Sequence, residues 1–141
     1  MKKTSSLLAA LVLTFVGGAA SAYAQDSIVK AHVPFAFSVS GSTLSAGDYT
    51  FAKLSQNAWT IRNDNSGQAI VTTATGNGTN QDANPATLVF KEYGDSYFLS
   101  EVHCLGGTSS VPASKVQRTL ERDMARNGSQ FESISVLASA R

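Results

Sequence analysis

From Val29 to Val39 every odd position is apolar: Val29, Ala31, Val33, Phe35, Phe37 and Val39. Between them stand Lys30, His32, Pro34, Ala36 and Ser38. Successive side chains of a strand point to opposite faces, so a period of two gives one buried and one solvated face. A chain that begins like this has to find strand partners and a second apolar surface. Pro34 has no N–H to give a ladder, which marks an edge position or a bulge.

The same punctuation continues. Ser40-Gly41-Ser42 and Ser45-Ala46-Gly47-Asp48 read as turns, the second launching Tyr49-Thr50-Phe51. After a break at Ser55-Gln56-Asn57, Trp59 and Ile61 alternate with Thr60 and Arg62. Asn63 to Gly67 is rich in residues that tolerate a left-handed backbone, and Gln68 to Thr75 is rich in Thr, Val and Ile, which suit a pleated surface. Gly76 to Pro85 is the longest polar stretch and reads as an exposed loop. Thr87–Tyr93 and Tyr97–Leu105 around Gly94-Asp95-Ser96 form the strongest hairpin signal in the chain.

The period then changes. Ser109 or Ser110 suits a helix cap and Pro112 the first turn. Ala113, Val116, Leu120 and Met124 recur at helical spacing, and Asn127-Gly128 suits a C-terminal stop. This predicts one helix over about 112–127. Beyond it Ile134 and Val136 share a side, which suggests a last strand, although residues 129–141 carry the weakest signal. The expected fold is mainly β: an antiparallel β-sandwich or small barrel of six to seven strands with one C-terminal α-helix.

Residues 1–24 read as a cleavable signal peptide. Lys2 and Lys3 precede the apolar run Leu7–Val16, and Ala22-Tyr23-Ala24 offers small residues where a signal peptidase reads. The run is half the length of a membrane span, so the mature chain is expected to begin near Gln25 and to be periplasmic or extracellular. Lys2 and Lys3 are the leader's only charges, so residues 25–141 hold nine Lys or Arg against ten Asp or Glu, a net charge of −1. That balance argues against a general nucleic-acid binder. No second stretch is apolar enough for a transmembrane helix, and 25–141 is enough chain for a single domain. The lone Cys104 cannot close a disulfide within the chain and sits in an apolar run, as a buried thiol would.

Several segments together carry a family likeness. Val33-Pro34-Phe35-Ala36-Phe37, Leu44-Ser45-Ala46-Gly47-Asp48-Tyr49-Thr50-Phe51, the run Tyr93 to Val102, and Ser114-Lys115 opening a charged helix resemble a family of small exported β-rich bacterial proteins of uncharacterised function. The resemblance covers most of residues 28–126 and implies export and a β fold. Its motifs are turn and strand residues, so it implies no substrate, cofactor or active-site residue. The segment after Gly128 departs from the pattern.

No G-x-S-x-G elbow, H-E-x-x-H zinc motif, P-loop or dinucleotide fingerprint is present. The sequence nominates no catalytic residue and no cofactor. For a metal, His32, Glu101 and His103 are the candidates: Glu101 and His103 share a strand face, and His32 would join them if the two strands paired. Solvated or hydrogen-bonded histidines are the plainer reading. Trp59, Tyr49, Tyr93 and Tyr97 could form an aromatic platform, or be core. On the helix, Lys115, Arg118, Arg122 and Arg126 recur at steps of three and four and form one basic stripe. Such a stripe suits an anionic surface, or else is the solvated side of an ordinary packed helix. The expected function is an exported, non-enzymatic β-domain that binds an unidentified protein or envelope partner or serves as an envelope or extracellular structural component. The alternatives are a small periplasmic metal-dependent protein or enzyme, and a small-ligand carrier if the sheet closes into a barrel.

Overall fold

A computed structural model describes residues 27–77 and 85–140. The leader and most of the Gly76–Pro85 stretch lie outside those residues. The strands are β1 (Ile28–Val33), β2 (Phe37–Val39), β3 (Ser42–Leu44), β4 (Gly47–Ser55), β5 (Ala58–Asn63), β6 (Ala69–Thr73), β7 (Thr75–Asn77), β8 (Ala86–Tyr93), β9 (Ser96–Cys104), β10 (Gly107–Ser110) and β11 (Glu132–Ala140). The single described helix, α1 (Lys115–Arg126), lies between β10 and β11.

The mainly β class and the C-terminal helix are as expected, but the described residues hold eleven strands rather than six or seven. They form a curled half-barrel in the order β3-β2-β9-β8-β11-β1-β4-β5-β6, with β10 pairing β9 and β7. The extra strands come from long runs that break. Val29–Val39 divides at Pro34–Ala36 into β1 and β2, which go to different places. β1 is paired on both edges, by β4 and β11, and an interior strand cannot continue through a residue without an N–H. β2 instead runs parallel to the start of β9. The Gln68–Thr75 run likewise bends at buried Ala74, whose N–H is held by Asn57 O at 2.9 Å. On one side of that corner β6 pairs β5, and on the other β7 pairs β10. One covalent step thus carries the chain between the two ends of the sheet. A hydrogen bond of 2.5 Å between Ser40 Oγ and Thr72 Oγ1 also joins them.

The concave side is the core. Val29, Val33, Phe37, Phe51, Trp59, Ile61, Leu88, Phe90, Leu99 and Val102 are all buried there, as the alternation requires. Phe90 sits at its centre, with edge-to-face contacts to Phe35 and Phe37 at 5.2 and 5.3 Å between ring centroids. The β8–β9 hairpin turns as read, with Gly94 at φ 61, a conformation that costs a side-chain-bearing residue energy. Opposite Val89 and Phe90 the register skips Ser100 of β9, so Leu99 faces the core and Phe98 the convex side, where it meets Tyr93 near α1.

β11 takes a place that its weak pattern did not announce. It pairs with β8 over seven residues and with β1 at Val29↔Ala140 and Lys30↔Ser139, so it fills the middle of the sheet. Ile134, Val136 and Ala138 face inward and are half-buried, while Leu137 on the outer side is 71% exposed.

Removal of the Phe90 ring should leave a cavity with no strand free to close it. Phe90→Ala is expected to lower the unfolding free energy by about 3–5 kcal/mol, measured by urea denaturation, whereas Leu137→Ala should change it by less than about 0.5 kcal/mol.

Candidate functional site

The side chains that come together most closely lie between α1 and the β8–β9 hairpin. α1 starts at Ser114, whose Oγ accepts the Gln117 N–H at 3.2 Å. The cap is therefore neither Ser109 nor Ser110, which belong to β10, and Pro112 precedes the helix rather than opening it. At the other end Gly128 adopts φ 70, and the Ser129 N–H closes on Met124 O at 3.0 Å.

The helix docks on a face slightly rotated from the one its apolar residues suggest. Val116 is 61% exposed, and the residue buried in its place is Gln117. Gln117, Leu120, Glu121 and Met124 fall at i, i+3, i+4 and i+7, the narrow stripe that a helix turns toward a neighbour. The surface beneath is polar as well as aromatic, and it draws polar residues inward. Glu121 accepts the Tyr93 hydroxyl hydrogen, receives Gln117 Nε2 at 3.5 Å and pairs with Lys91 Nζ at 3.7 Å. Lys91 also lies over the Phe131 ring, 4.7 Å from its centroid, and Phe131 meets Tyr93 at 5.6 Å. Burial, then the hydrogen bond to Glu121, pushes the Tyr93 phenol up to about 12.

A groove of about 480 Å³ opens beside this cluster, with Lys91, Tyr93, Glu121, Met124 and Phe131 among the residues lining it. Phe131 stays 45% exposed at its side. Such a mixture of apolar walls and a few converging polar groups characterises ligand sites. Sequence reading named Tyr93 but not Lys91, Glu121 or Phe131. The signal that could have found them was Glu121, a carboxylate four residues from Gln117 beside the apolar stripe.

The basic stripe is present as read. Lys115, Arg118, Arg122 and Arg126 are all exposed. Arg126 approaches Asp123 at 4.0 Å, and the other three have no ion-pair partner among the described residues.

The metal candidates do not converge. β8 and β11 separate β1 from β9, which keeps His32 apart from Glu101 and His103. His32 Nδ1 instead meets Asp48 at 2.7 Å across the β1–β4 pair. His103 Nε2 meets Glu101 at 2.6 Å along β9. Among the described residues no three such side chains are grouped to hold an ion. Cys104 is buried and faces inward, opposite to His103, with its thiol pushed up by burial. The aromatic platform is likewise not formed. Trp59, Tyr49 and Tyr93 are buried, and half-buried Tyr97 stacks on Phe35 at 4.2 Å.

Compared with family models, curated proteins and solved structures, the chain finds no match in any of the three.

The folded state keeps Tyr93 protonated beyond the ordinary tyrosine value of about 10. Any stability gained this way is full below that pH and is lost as pH rises through about 12. Tyr93→Phe should remove this alkaline component and cost about 1 kcal/mol at neutral pH. Ultraviolet titration of both proteins, with denaturation at neutral and alkaline pH, measures the two effects.

Proposed function

We propose that the chain is exported and works by binding, without catalysis, presenting the outer face of α1 to an anionic envelope surface. The observation that carries this reading is the division of the helix. Its inner side is fixed to the hairpin through Glu121, which meets Tyr93 and Lys91, while Lys115, Arg118, Arg122 and Arg126 stand in solvent. Three of these cations have no acidic partner among the described residues, although residues 25–141 are slightly acidic overall. Val116, to one side of this stripe, is exposed as well.

A cation near an anionic membrane surface contributes about 1 kcal/mol. Four on one face give useful, salt-sensitive affinity without insertion. No described helix is long and apolar enough to cross a bilayer. The reading as a binder rather than an enzyme rests on the sequence, in which no catalytic pattern occurs. Export rests on the Lys2-Lys3 leader and its apolar run. Mass spectrometry of chain recovered from exporting cells should find an N-terminus near Gln25; an intact Met1 terminus would reject cleavage.

The surface contact is tested by co-sedimentation with vesicles of phosphatidylglycerol and phosphatidylcholine against phosphatidylcholine alone. The protein should follow the anionic vesicles and be released by salt. The double variant Arg118→Glu, Arg122→Glu should lose more than about tenfold in partitioning. Equal partitioning of the variant and the parent would remove the helix from the account.

A further inference from the structure

Alternation makes a second site conspicuous. On β4 the inward positions are Tyr49, Phe51 and then Lys53. Lys53 stands directly across from Trp59, a core residue, and Trp59 stands across from buried Thr72. A lysine therefore occupies an inner-face position at the end of the half-barrel, half-buried, where the pattern calls for an apolar side chain. No ion pair to Lys53 exists among the described residues. A cation at such a position, with no carboxylate against it among the described residues, is placed to meet an anion from outside the chain.

Its surroundings offer more hydrogen-bond donors. Lys53, Cys104, Gly107, Ser109 and Ser27 line a cavity of about 320 Å³, with Gly76 of β7 on another side. Among the described residues the lining includes a thiol and hydroxyls but no carboxylate. Burial keeps the Cys104 thiol protonated, so it brings no negative charge to the cavity. Beside Lys53 in the register, Trp59 is 1% exposed, and its indole N–H has no acceptor among the described residues. A buried donor without a partner is rare in folded proteins. One uncompensated cation, neutral donors and an adjoining apolar core together call for an acceptor of single negative charge attached to an apolar body.

We propose that the end of the half-barrel around Lys53 binds a small organic carboxylate, with the carboxylate at the Lys53 ammonium and the apolar part toward the Trp59 side of the core. This site is separate from the outer face of α1 and does not depend on it.

Trp59 is the only tryptophan in the chain, so its fluorescence reports on this end of the core. The purified protein is titrated with hexanoate, with hexanol as the uncharged analogue, and with inorganic phosphate at matched ionic strength. Hexanoate should change the emission saturably, while hexanol and phosphate should act at least about tenfold more weakly, the factor expected for one charge-assisted hydrogen bond. Lys53→Met should weaken hexanoate by a similar factor, and Lys30→Met, on the outer face, should not. No saturable response to hexanoate, an equal response to hexanol, a phosphate response alone, or an unchanged Lys53→Met titration would each overturn the proposal. If Lys53→Met does not fold, alkylation of Cys104 in the parent protein decides. Protection by hexanoate but not by hexanol supports the site, and equal rates with both overturn it.

Discussion

The pairing of β11 on both its edges holds the half-barrel together. β8, β9 and β10 form one group of neighbours and β1, β4, β5 and β6 another, and the last strand stands between them. Its contacts with β8 span forty residues of chain or more, and those with β1 more than a hundred. Closing such loops costs entropy before the contacts repay it, so the complete sheet is a late event in folding. The inner face is built to wait for it. Phe90 and Leu88, which β11 lies against, are already backed by Phe35, Phe37 and the rest of the aromatic core.

On the convex side the balance of forces differs. α1 covers Tyr93 and Phe98, yet of its own side chains only the polar Gln117 is buried. What fixes it is one carboxylate, Glu121, which meets Tyr93 and Lys91 of β8 and is held in place by Gln117 of its own helix. The Lys91 pair is half-exposed and adds at most about 1 kcal/mol. The Tyr93 bond is the better shielded, because its ring lies beneath the helix against Phe98 at 5.7 Å. Docking through hydrogen bonds sets the rotation of the helix as well as its position. That rotation turns Val116 and the basic stripe outward.

Period-two alternation made the class of the fold and most strand positions legible. Trp59 with Ile61, Tyr49 with Phe51, and the β8–β9 hairpin all face as the pattern reads, because each is a half-buried antiparallel strand. What escaped was the division of strands and their order. Pro34 and Ala74 each lie inside an apolar run, and only the partners on either side reveal that the chain bends there. β3 and β10 are short and polar, so Ser42 and Ser109 read as turn and cap although both pair in the sheet. The site around Glu121 was hidden for a related reason. Helical periodicity ranks apolar residues, and this helix is held by its polar ones. His32 and His103 both lie opposite the inward residues of their strands, but strand order, which no local pattern encodes, keeps them apart.

Polar residues on the inner face sort by whether their hydrogen bonds are met. Asn63 is buried and accepts the N–H groups of Asn65 and Ser66 at 2.9 and 2.8 Å, which shapes the β5–β6 turn. Thr72 is buried and ties β6 to Ser40. Tyr49 gives its hydroxyl hydrogen to Ser45 O at 2.6 Å. Each of these three is offset by a partner that the fold itself supplies, so stability accounts for it. Lys53 and Trp59 are offset by nothing among the described residues, and they stand side by side. An acceptor from outside the chain, bound in the cavity whose described lining holds no carboxylate, would answer the Lys53 ammonium directly, whereas the Trp59 N–H lies sealed in the core behind it.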